Sequence, residues 1–309
     1  MVPEIEKLKK ASIFCGTSSW KYVGWKGMVY SKPYTSEKAF NETALSEYSE
    51  QFACVGIDHT YYAWPTKNQM KRYFDQTPAD FKFVLKASDK ITVPRFPKIP
   101  RYGKQAGQNN SDFLNPQLFI EHFLEPIQVL EDKLGAIILE FSHFRRETMS
   151  SGSEFVDRLD NFLGEVRLNC SLPLAIELRN SNWLQPKYFH TLIKHQVTHV
   201  FNSWTQMPEI EFQWQKAKDF PLPFFIFRLL LKPGTIYQEA VDNFAPYERI
   251  QEPLPEIRAS VVEHLLDILS ESKTAFVLVN NRFEGCAPTT IQEIVTLLFS
   301  SKRAAPLWD

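Results

Sequence analysis

Short runs of β-branched and aromatic residues alternate along the chain with longer segments of helical period. Eight of these runs are predicted strands: Ile13–Thr17, Cys54–Thr60, Phe81–Ala87, Ala136–Phe141, Leu174–Arg179, His199–Ser203, Phe224–Leu229 and Ala275–Asn280. The clearest helical repeats are Phe119, Phe123, Ile127, Leu130 and Leu134, where Pro126 is predicted to introduce a kink, and Val262, Leu265, Leu266 and Leu269.

Strands that alternate with helices over 309 residues indicate parallel βαβ units. Eight strands favour a closed barrel over an open sheet, so the pattern predicts a single (β/α)8 TIM-type barrel. No internal repeat or Gly/Ser linker suggests a second domain, and residues 1–309 are taken as one unit.

One long interruption follows the third predicted strand. Residues 90–116 are rich in Pro, Gly and Asn, which predicts an irregular loop over the active face of the barrel. Loops of this length are functional lids or disordered segments, and the pattern leaves both open. Its cations are either a solvated face or a basic lid over an anionic ligand: Lys90, Arg95, Lys98, Arg101 and Lys104.

Charge and cysteine content narrow the class of protein. The net charge of −1 provides no general attraction for nucleic acid or membranes, although nucleic acid is not excluded as a partner. Four scattered cysteines without a CxxC pair fit a reducing cytosol, and the charged N-terminus is not a signal peptide. No apolar run approaches a membrane span, so we expect a cytoplasmic protein. Trp308, near the C-terminus, docks on the body of the protein or on a partner, and the oligomeric state stays open.

Polar residues lie at the C-terminal ends of several predicted strands, where barrels carry their sites. In the fifth strand, alternation places Glu177 and Arg179 on the inner face. The other strand ends contribute Asp58, Lys86, Glu140, Arg228, Asn280 and Asn281. Charges inside apolar strands are costly unless they are paired or functional.

Two interpretations of this cluster remain. Glu140 and Glu177 form a general acid/base pair, with Asp58 a further catalytic candidate, while cations clamp an anionic group such as a phosphate or carboxylate. The alternative is an internal salt-bridge network between Glu177, Arg179 and Arg228.

Aromatic residues follow the first strand among three glycines. Trp20, Trp25 and Tyr30 are predicted to form a wall over the barrel mouth, where rings stack on sugars or bases. The alternative is a hydrophobic plug that closes one end of the barrel.

Cofactor signals are weak. Asp58, His59, Glu140 and Glu177 offer ligand types for a divalent metal, but no HExxH or HxH spacing organises them. There is neither a P-loop nor a GxGxxG motif. No cofactor is predicted.

Several motifs in a fixed order resemble a known family. IFCGTSSWKYVGWKGMVY, VGIDHTYYAWP, FVLKAS, LGAIILEFS, AIELRNSNW and VNNRFEGCAP are similar to the blocks of the YecE-like family, also called domain of unknown function 72. The resemblance covers a core of about residues 13–298. It implies a TIM-type barrel related to the xylose-isomerase-like superfamily, and no established reaction. The family's characteristic positions fall on Gly16, Thr17, Trp20, Trp25, Tyr30, Asp58 (usually Asn in the family), Tyr61, Lys86, Glu177, Arg179, Trp183, Arg228 and Asn281. The resemblance adds Thr17, Tyr61 and Trp183 to the predicted substrate-binding residues.

The chain also departs from the family pattern. The family has Glu where this chain has Gly56, Gln followed by prolines at residues 140–142, and a His–Gly pair at Leu230–Leu231. Two functions are therefore carried forward. One is an enzyme with hydrolase-, isomerase- or lyase-type chemistry on an anionic sugar- or nucleotide-like substrate. The other is a non-catalytic ligand- or nucleic-acid-binding protein on a degenerate site.

Overall fold

The predicted strands pair in parallel in sequence order, and the eighth pairs with the first, so the sheet closes into a barrel. A computed structural model describes residues 2–304 of the chain; Trp308 lies outside the described residues. The strands are β1 Ile13–Thr17, β2 Cys54–Ile57, β3 Lys82–Lys86, β4 Leu134–Phe141, β5 Leu174–Leu178, β6 Thr198–Ser203, β7 Phe225–Leu229 and β8 Ala275–Val279. The predicted (β/α)8 architecture is confirmed.

Helices connect successive strands and cover the outside of the barrel. They are α1 Val2–Lys10, α2 Glu37–Tyr48, α3 Lys67–Asp75, α4 Asp89–Thr92, α5 Pro116–Phe119, α6 Glu125–Ile127, α7 Gly152–Arg167, α8 Pro186–Lys194, α9 Ile210–Ala217, α10 Tyr237–Phe244, α11 Pro255–Ser270, α12 Asn281–Glu284 and α13 Ala287–Ser300. Short 3-10 turns span Val23–Trp25, Asp58–Tyr61, Pro100–Gln105, Gln128–Lys133 and Ser181–Trp183. Among the described helices, none is long and apolar enough to cross a bilayer.

Two predicted elements differ from the structure for local reasons, and the other strand ends differ from the prediction by at most two residues. The second strand ends at Ile57 because Thr60 Oγ1 donates to the carbonyls of Ile57 (2.8 Å) and Lys86 (2.7 Å), which stabilises a 3-10 turn. The helix predicted through Leu134 is divided into α5, a π-helical turn at Ile120–Leu124, α6 and a 3-10 turn. Leu134 instead begins β4.

The segment 90–116 is more regular than its composition predicted. It contains the end of α4 and the 3-10 turn Pro100–Gln105, and Arg95 and Asn109 form an antiparallel bridge. Asn110 Nδ2 donates to the carbonyls of Lys90 (2.8 Å) and Val93 (2.7 Å), so the side chain holds the two sides of the segment together. Internal side-chain hydrogen bonds thus replace the ladders that Pro and Gly disfavour.

Close approach of the first two strands fixes the start of the barrel. A Cβ at Gly16 would lie 1.9 Å from the carbonyl oxygen of Cys54, so only glycine fits at this point of β1. All eight strands run in the same direction, and their C-terminal ends therefore meet at one rim. The charged side chains described below converge on that rim.

Candidate functional site

A cavity of about 270 Å³ opens at the C-terminal rim of the barrel. We call it the mouth cavity. It is lined by Ser18, Ser19, Tyr22, Asp58, Tyr62, Lys86, Glu140, Arg179, Trp204, Arg228, Leu230, Tyr237, Asn280 and Arg282. Six of the predicted site residues are in this set: Asp58, Lys86, Glu140, Arg179, Arg228 and Asn280.

Arg228 of β7 is the central cation of the mouth. Its guanidinium donates through Nη1 to Glu177 and Glu140, the latter at 3.4 Å, and through Nη2 to Asp58 at 3.0 Å. The side chain is only 3% exposed. One buried arginine therefore connects carboxylates from three separate parts of the barrel, which fixes their relative positions.

Arg179 and Lys86 complete the ion-pair network. Arg179 Nη2 lies 2.8 Å from a carboxylate oxygen of Glu177 and 2.9 Å from one of Glu140. Lys86 Nζ lies 2.6 Å from Glu140, and its charge sits 3.9 Å from the centre of the Tyr61 ring. Glu140 thus faces three cations, while Glu177 lies below the cavity and faces two arginines.

The network holds Glu140, Arg179 and Arg228 in their charged forms. Burial works to raise the pKa of Glu140, but Arg179, Lys86 and Arg228 outweigh it and lower that pKa to about 2. Burial also opposes the charge on both arginines. Glu140 and Glu177 nevertheless raise the pKa of Arg179, and Glu177, Asp58 and Glu140 raise that of Arg228. Glu140 is thus ionised at neutral pH and does not suit the predicted role of general acid.

Asp58 differs from the two deeper carboxylates. Its side chain is 34% exposed, whereas those of Glu140 and Glu177 are 4% and 0% exposed. Arg228 is its only ion-pair partner within the described chain. Asp58 is therefore the mouth carboxylate with the most freedom to contact a ligand or exchange a proton.

Aromatic rings frame the mouth and support its cations. The Arg179 guanidinium stacks 3.8 Å from the centre of the Trp204 ring, and Arg282 lies 4.5 Å from that of Tyr237. Within residues 2–304, no carboxylate forms an ion pair with Arg282. These stacks are worth about 0.5–2 kcal/mol. Arg179 also donates to Glu177 and pairs with Glu140, whereas the Arg282 guanidinium has no carboxylate partner in the described chain.

The predicted aromatic wall was wrong. Trp20, Trp25 and Tyr30 are 2%, 0% and 2% exposed and belong to the hydrophobic core. Trp25 packs against Tyr22, and the Trp20 ring meets Tyr73 edge to face. Their burial favours the alternative interpretation, hydrophobic packing, over a ligand-facing wall.

The other predicted binding residues lie outside the mouth cavity. Thr17 is buried and contacts the Tyr48 hydroxyl at 2.9 Å, and Asn281 Oδ1 accepts from the amide of Ala287. The ring of Tyr61 packs against the ammonium group of Lys86. Burial and, after it, the nearby charge of Glu140 raise the pKa of Tyr61 well above the usual range. Trp183 stacks on Phe144 and lines a different cavity.

The mouth carboxylates do not form a metal cluster. Of the residues that the structure describes, no three His, Cys, Asp or Glu side chains are grouped to hold a metal ion. Here the guanidinium of Arg228 lies between Asp58, Glu140 and Glu177 and occupies the position where a divalent cation would bridge them.

Sequence reasoning missed four aromatic residues and one cation of the mouth. Trp204 directly follows the end of β6, and Arg282 directly follows the Asn280–Asn281 pair after β8, so their positions beside strand ends are a signal in the sequence. Tyr22, Tyr62 and Tyr237 come from irregular segments or the start of α10, and no periodic signal marks them.

The segment 90–116 borders the mouth without lining it. Arg101 stacks 3.7 Å above the centre of the Tyr62 ring, and Tyr102 donates to the buried carboxylate of Asp89 at 2.8 Å. With residues 142–148 the segment encloses a separate groove of about 600 Å³. The predicted basic lid therefore lies beside the mouth cavity.

Comparison with known proteins identifies one family. The family described as "protein of unknown function DUF72" matches residues 14–307. The UPF0759 protein YunF of Bacillus subtilis (strain 168) is 21% identical over 290 residues, which cover 90% of this chain and 94% of that protein.

Solved structures show the same fold. A DUF72 family protein of Enterococcus faecalis V583 superimposes with a TM-score of 0.63 at 20% identity, over 94% of this chain and 96% of that one. A DUF72 family protein of Thermotoga maritima MSB8 gives a TM-score of 0.58 at 19% identity, over 93% and 99% of the two chains. At these identities the likeness shows the fold alone.

Proposed function

The chain belongs to the DUF72 family, whose description assigns no function, and we propose that it binds a small anionic molecule in the mouth cavity and transforms it by acid–base chemistry. The substrate is a sugar- or nucleotide-like compound that bears a phosphate or carboxylate. The reaction is of hydrolase, isomerase or lyase type. The mouth of a barrel is where such sites are found.

One observation carries the proposal: the charges in the mouth do not balance. Four cations line the cavity or its floor, Lys86, Arg179, Arg228 and Arg282, against the three carboxylates of Asp58, Glu140 and Glu177. Arg282 is the unmatched cation. A ligand anion would supply the missing negative charge, and arginine suits phosphate and carboxylate because its fork forms two parallel hydrogen bonds.

The residues then divide into two roles. Glu140 and Glu177 hold Arg179 and Arg228 in fixed orientations, which prepares their remaining donors for an anion. Asp58, at the open side of the network, is the group that accepts a proton from the substrate or from water. Trp204 and Tyr237 provide apolar faces for the rest of the ligand.

A second candidate is a binding protein without turnover. It is favoured by the ion pairing of both deeper carboxylates, which leaves Asp58, paired with Arg228 alone in the described chain, as the mouth carboxylate best placed to accept a proton. Most acid–base enzymes need a group to donate a proton as well as one to accept it.

Thermal unfolding with glucose 6-phosphate, glucuronate and neutral glucose tests the binding site. We expect the two anions to raise the melting temperature, since a ligand at about 100 times its Kd stabilises by roughly 2.7 kcal/mol. Arg282→Gln should weaken glucose 6-phosphate binding roughly tenfold, the value of one charge-assisted hydrogen bond. Arg303→Gln, which removes an exposed arginine elsewhere, is the matched control. An equal shift with neutral glucose would contradict an anion site.

A further inference from the structure

A second cavity lies on the outer side of the rim, apart from the mouth. It has a volume of about 600 Å³ and is enclosed by residues 143–146, the start of α7 and the start of α8. We call it the flank cavity. Its size falls in the range of sites for small organic molecules, and it is more than twice as large as the mouth cavity.

The charge of the flank cavity is one-sided. Arg145, Arg146 and Lys187 line it, and its described lining contains no carboxylate. Within residues 2–304, neither arginine has an ion pair or a side-chain hydrogen bond. By contrast, Lys187 Nζ donates to Ser153 Oγ (2.7 Å) and to the carboxylate of the exposed Asp157 (2.6 Å). Two arginines with free donor groups beside one cavity indicate a site for an anion.

The wall that carries the arginines is held rigidly. Asn180 Oδ1 accepts from the amide of Phe144 at 2.8 Å, and its Nδ2 donates to the Phe144 carbonyl at 3.2 Å. His143 Nδ1 donates to the carbonyl of Arg179 at 3.3 Å. These contacts tie the segment to the end of β5, so Arg145 and Arg146 project from a fixed base and lose less entropy on binding.

The first turn of α7 adds backbone amide donors to the lining of the cavity. Ser151 Oγ accepts from the amide of Glu154, which leaves the amides of Gly152 and Ser153 without an acceptor in the described chain. A Cβ at Gly152 would come within 2.8 Å of the Trp183 ring, so glycine lets the helix start pack directly on the indole. The lining of the cavity therefore combines free amides, an aromatic surface and cations.

We propose that the flank cavity binds a phosphomonoester of a small organic molecule, at a site independent of the mouth cavity. Arg145 and Arg146 bind the phosphate, and the free amides of the first turn of α7 are further donors in the same cavity. The organic part packs against the apolar part of the lining, which includes Trp183, Met149 and Phe144. This site does not depend on the function proposed for the mouth.

Isothermal titration with phenyl phosphate, which combines a phosphomonoester with a ring, tests the site. We expect Arg145→Gln/Arg146→Gln to weaken binding by roughly tenfold or more, since each arginine contributes charge-assisted hydrogen bonds. Both side chains are exposed, so the double variant should keep the melting temperature of the wild type. Arg158→Gln, on α7 but outside the cavity lining, is the matched control and should bind normally.

The mouth variant Arg282→Gln separates the two sites. Unchanged phenyl phosphate affinity in Arg282→Gln, together with weakened affinity in the double variant, supports the flank site. Weakened affinity in Arg282→Gln with normal affinity in the double variant would overturn it while leaving the mouth proposal standing. No measurable heat of binding in the wild type would also overturn it.

Discussion

Replacing Arg228 with Met is expected to lower the free energy of unfolding by about 3–5 kcal/mol at pH 7, the usual cost of breaking a buried ion pair. Met preserves most of the volume of the side chain but removes the cation that Glu177, Glu140 and Asp58 share. The carboxylate of Glu177, 0% exposed, then keeps only Arg179. Chemical denaturation of the wild type and the variant measures the difference.

This loss of stability should depend on pH with a defined sign. Glu140 has a folded-state pKa of about 2, below its ordinary value of 4.5, so its ion pairs stabilise fully above pH 4.5 and are lost as pH falls toward 2. In Arg228→Met, Glu140 loses one of the cations that lower its pKa and therefore binds a proton more readily. The difference in the free energy of unfolding between wild type and variant should therefore become smaller as the pH falls from 7 to 3.

The control is Arg303→Met, which removes exposed ion pairs to Glu263 and Asp267. Exposed pairs contribute between zero and about 1 kcal/mol, so the control should unfold almost like the wild type. A gap for Arg228→Met that stayed constant from pH 7 to pH 3 would mean that lost packing, and not uncompensated carboxylates, causes the destabilisation.

Asp58→Asn is expected to reduce turnover by roughly 10²–10⁴-fold while binding stays within about threefold of the wild type. Asn keeps the size of the side chain and its hydrogen bond from Arg228 but cannot accept a proton. Phosphorus NMR of glucose 6-phosphate and ribose 5-phosphate follows turnover, because hydrolysis, isomerisation and elimination each change the phosphorus signal.

The matched control is Asp242→Asn, which makes the same Asp-to-Asn change at a carboxylate outside the lining of the mouth cavity. Asp242 is an exposed carboxylate of α10 that contacts only Gln238 in the described chain. Turnover at the wild-type rate in Asp58→Asn would remove Asp58 from the proposed chemistry. Absence of turnover in the wild type, together with binding, would favour the non-catalytic candidate.

The barrel could be predicted because its signal is repeated. Eight apolar runs of strand length occur between amphipathic segments, and β1 begins and ends as the pattern predicted. The errors fall where side chains bind the backbone. Thr60 ends β2 early through two hydrogen bonds, and Asn110 orders a segment whose Pro and Gly content predicted irregularity.

The charged floor of the site was predictable for a related reason. Alternation in β5 places Glu177 and Arg179 on the inner face, and in a closed barrel all inner faces meet. The aromatic part of the site could not be predicted. Trp20 and Tyr22 are aromatic residues of the same loop, and the sequence does not show which of them is buried and which lines the mouth. Only packing against Tyr73 decides that Trp20 is core, and only the position of the loop leaves Tyr22 at the mouth.

The structure shows the surroundings of two positions at which this chain differs from the family pattern, Gly56 and Leu230. A Cβ at Gly56 would lie 3.0 Å from the Ser18 backbone, so no longer side chain fits there without a shift of the first loop. Leu230 lines the mouth with an apolar side chain where the resemblance implies His. The chemistry of this mouth therefore rests on the ion-pair network and Asp58.

Anion binding in the mouth cavity is tested most directly by anomalous X-ray diffraction from a crystal soaked in sodium selenate. Selenate resembles sulfate and phosphate in shape and charge, and its selenium is located by anomalous scattering. We predict an anomalous peak in the mouth within hydrogen-bond distance of Arg282, and its loss in Arg282→Gln. Peaks only elsewhere on the protein, with an empty mouth, would contradict the account.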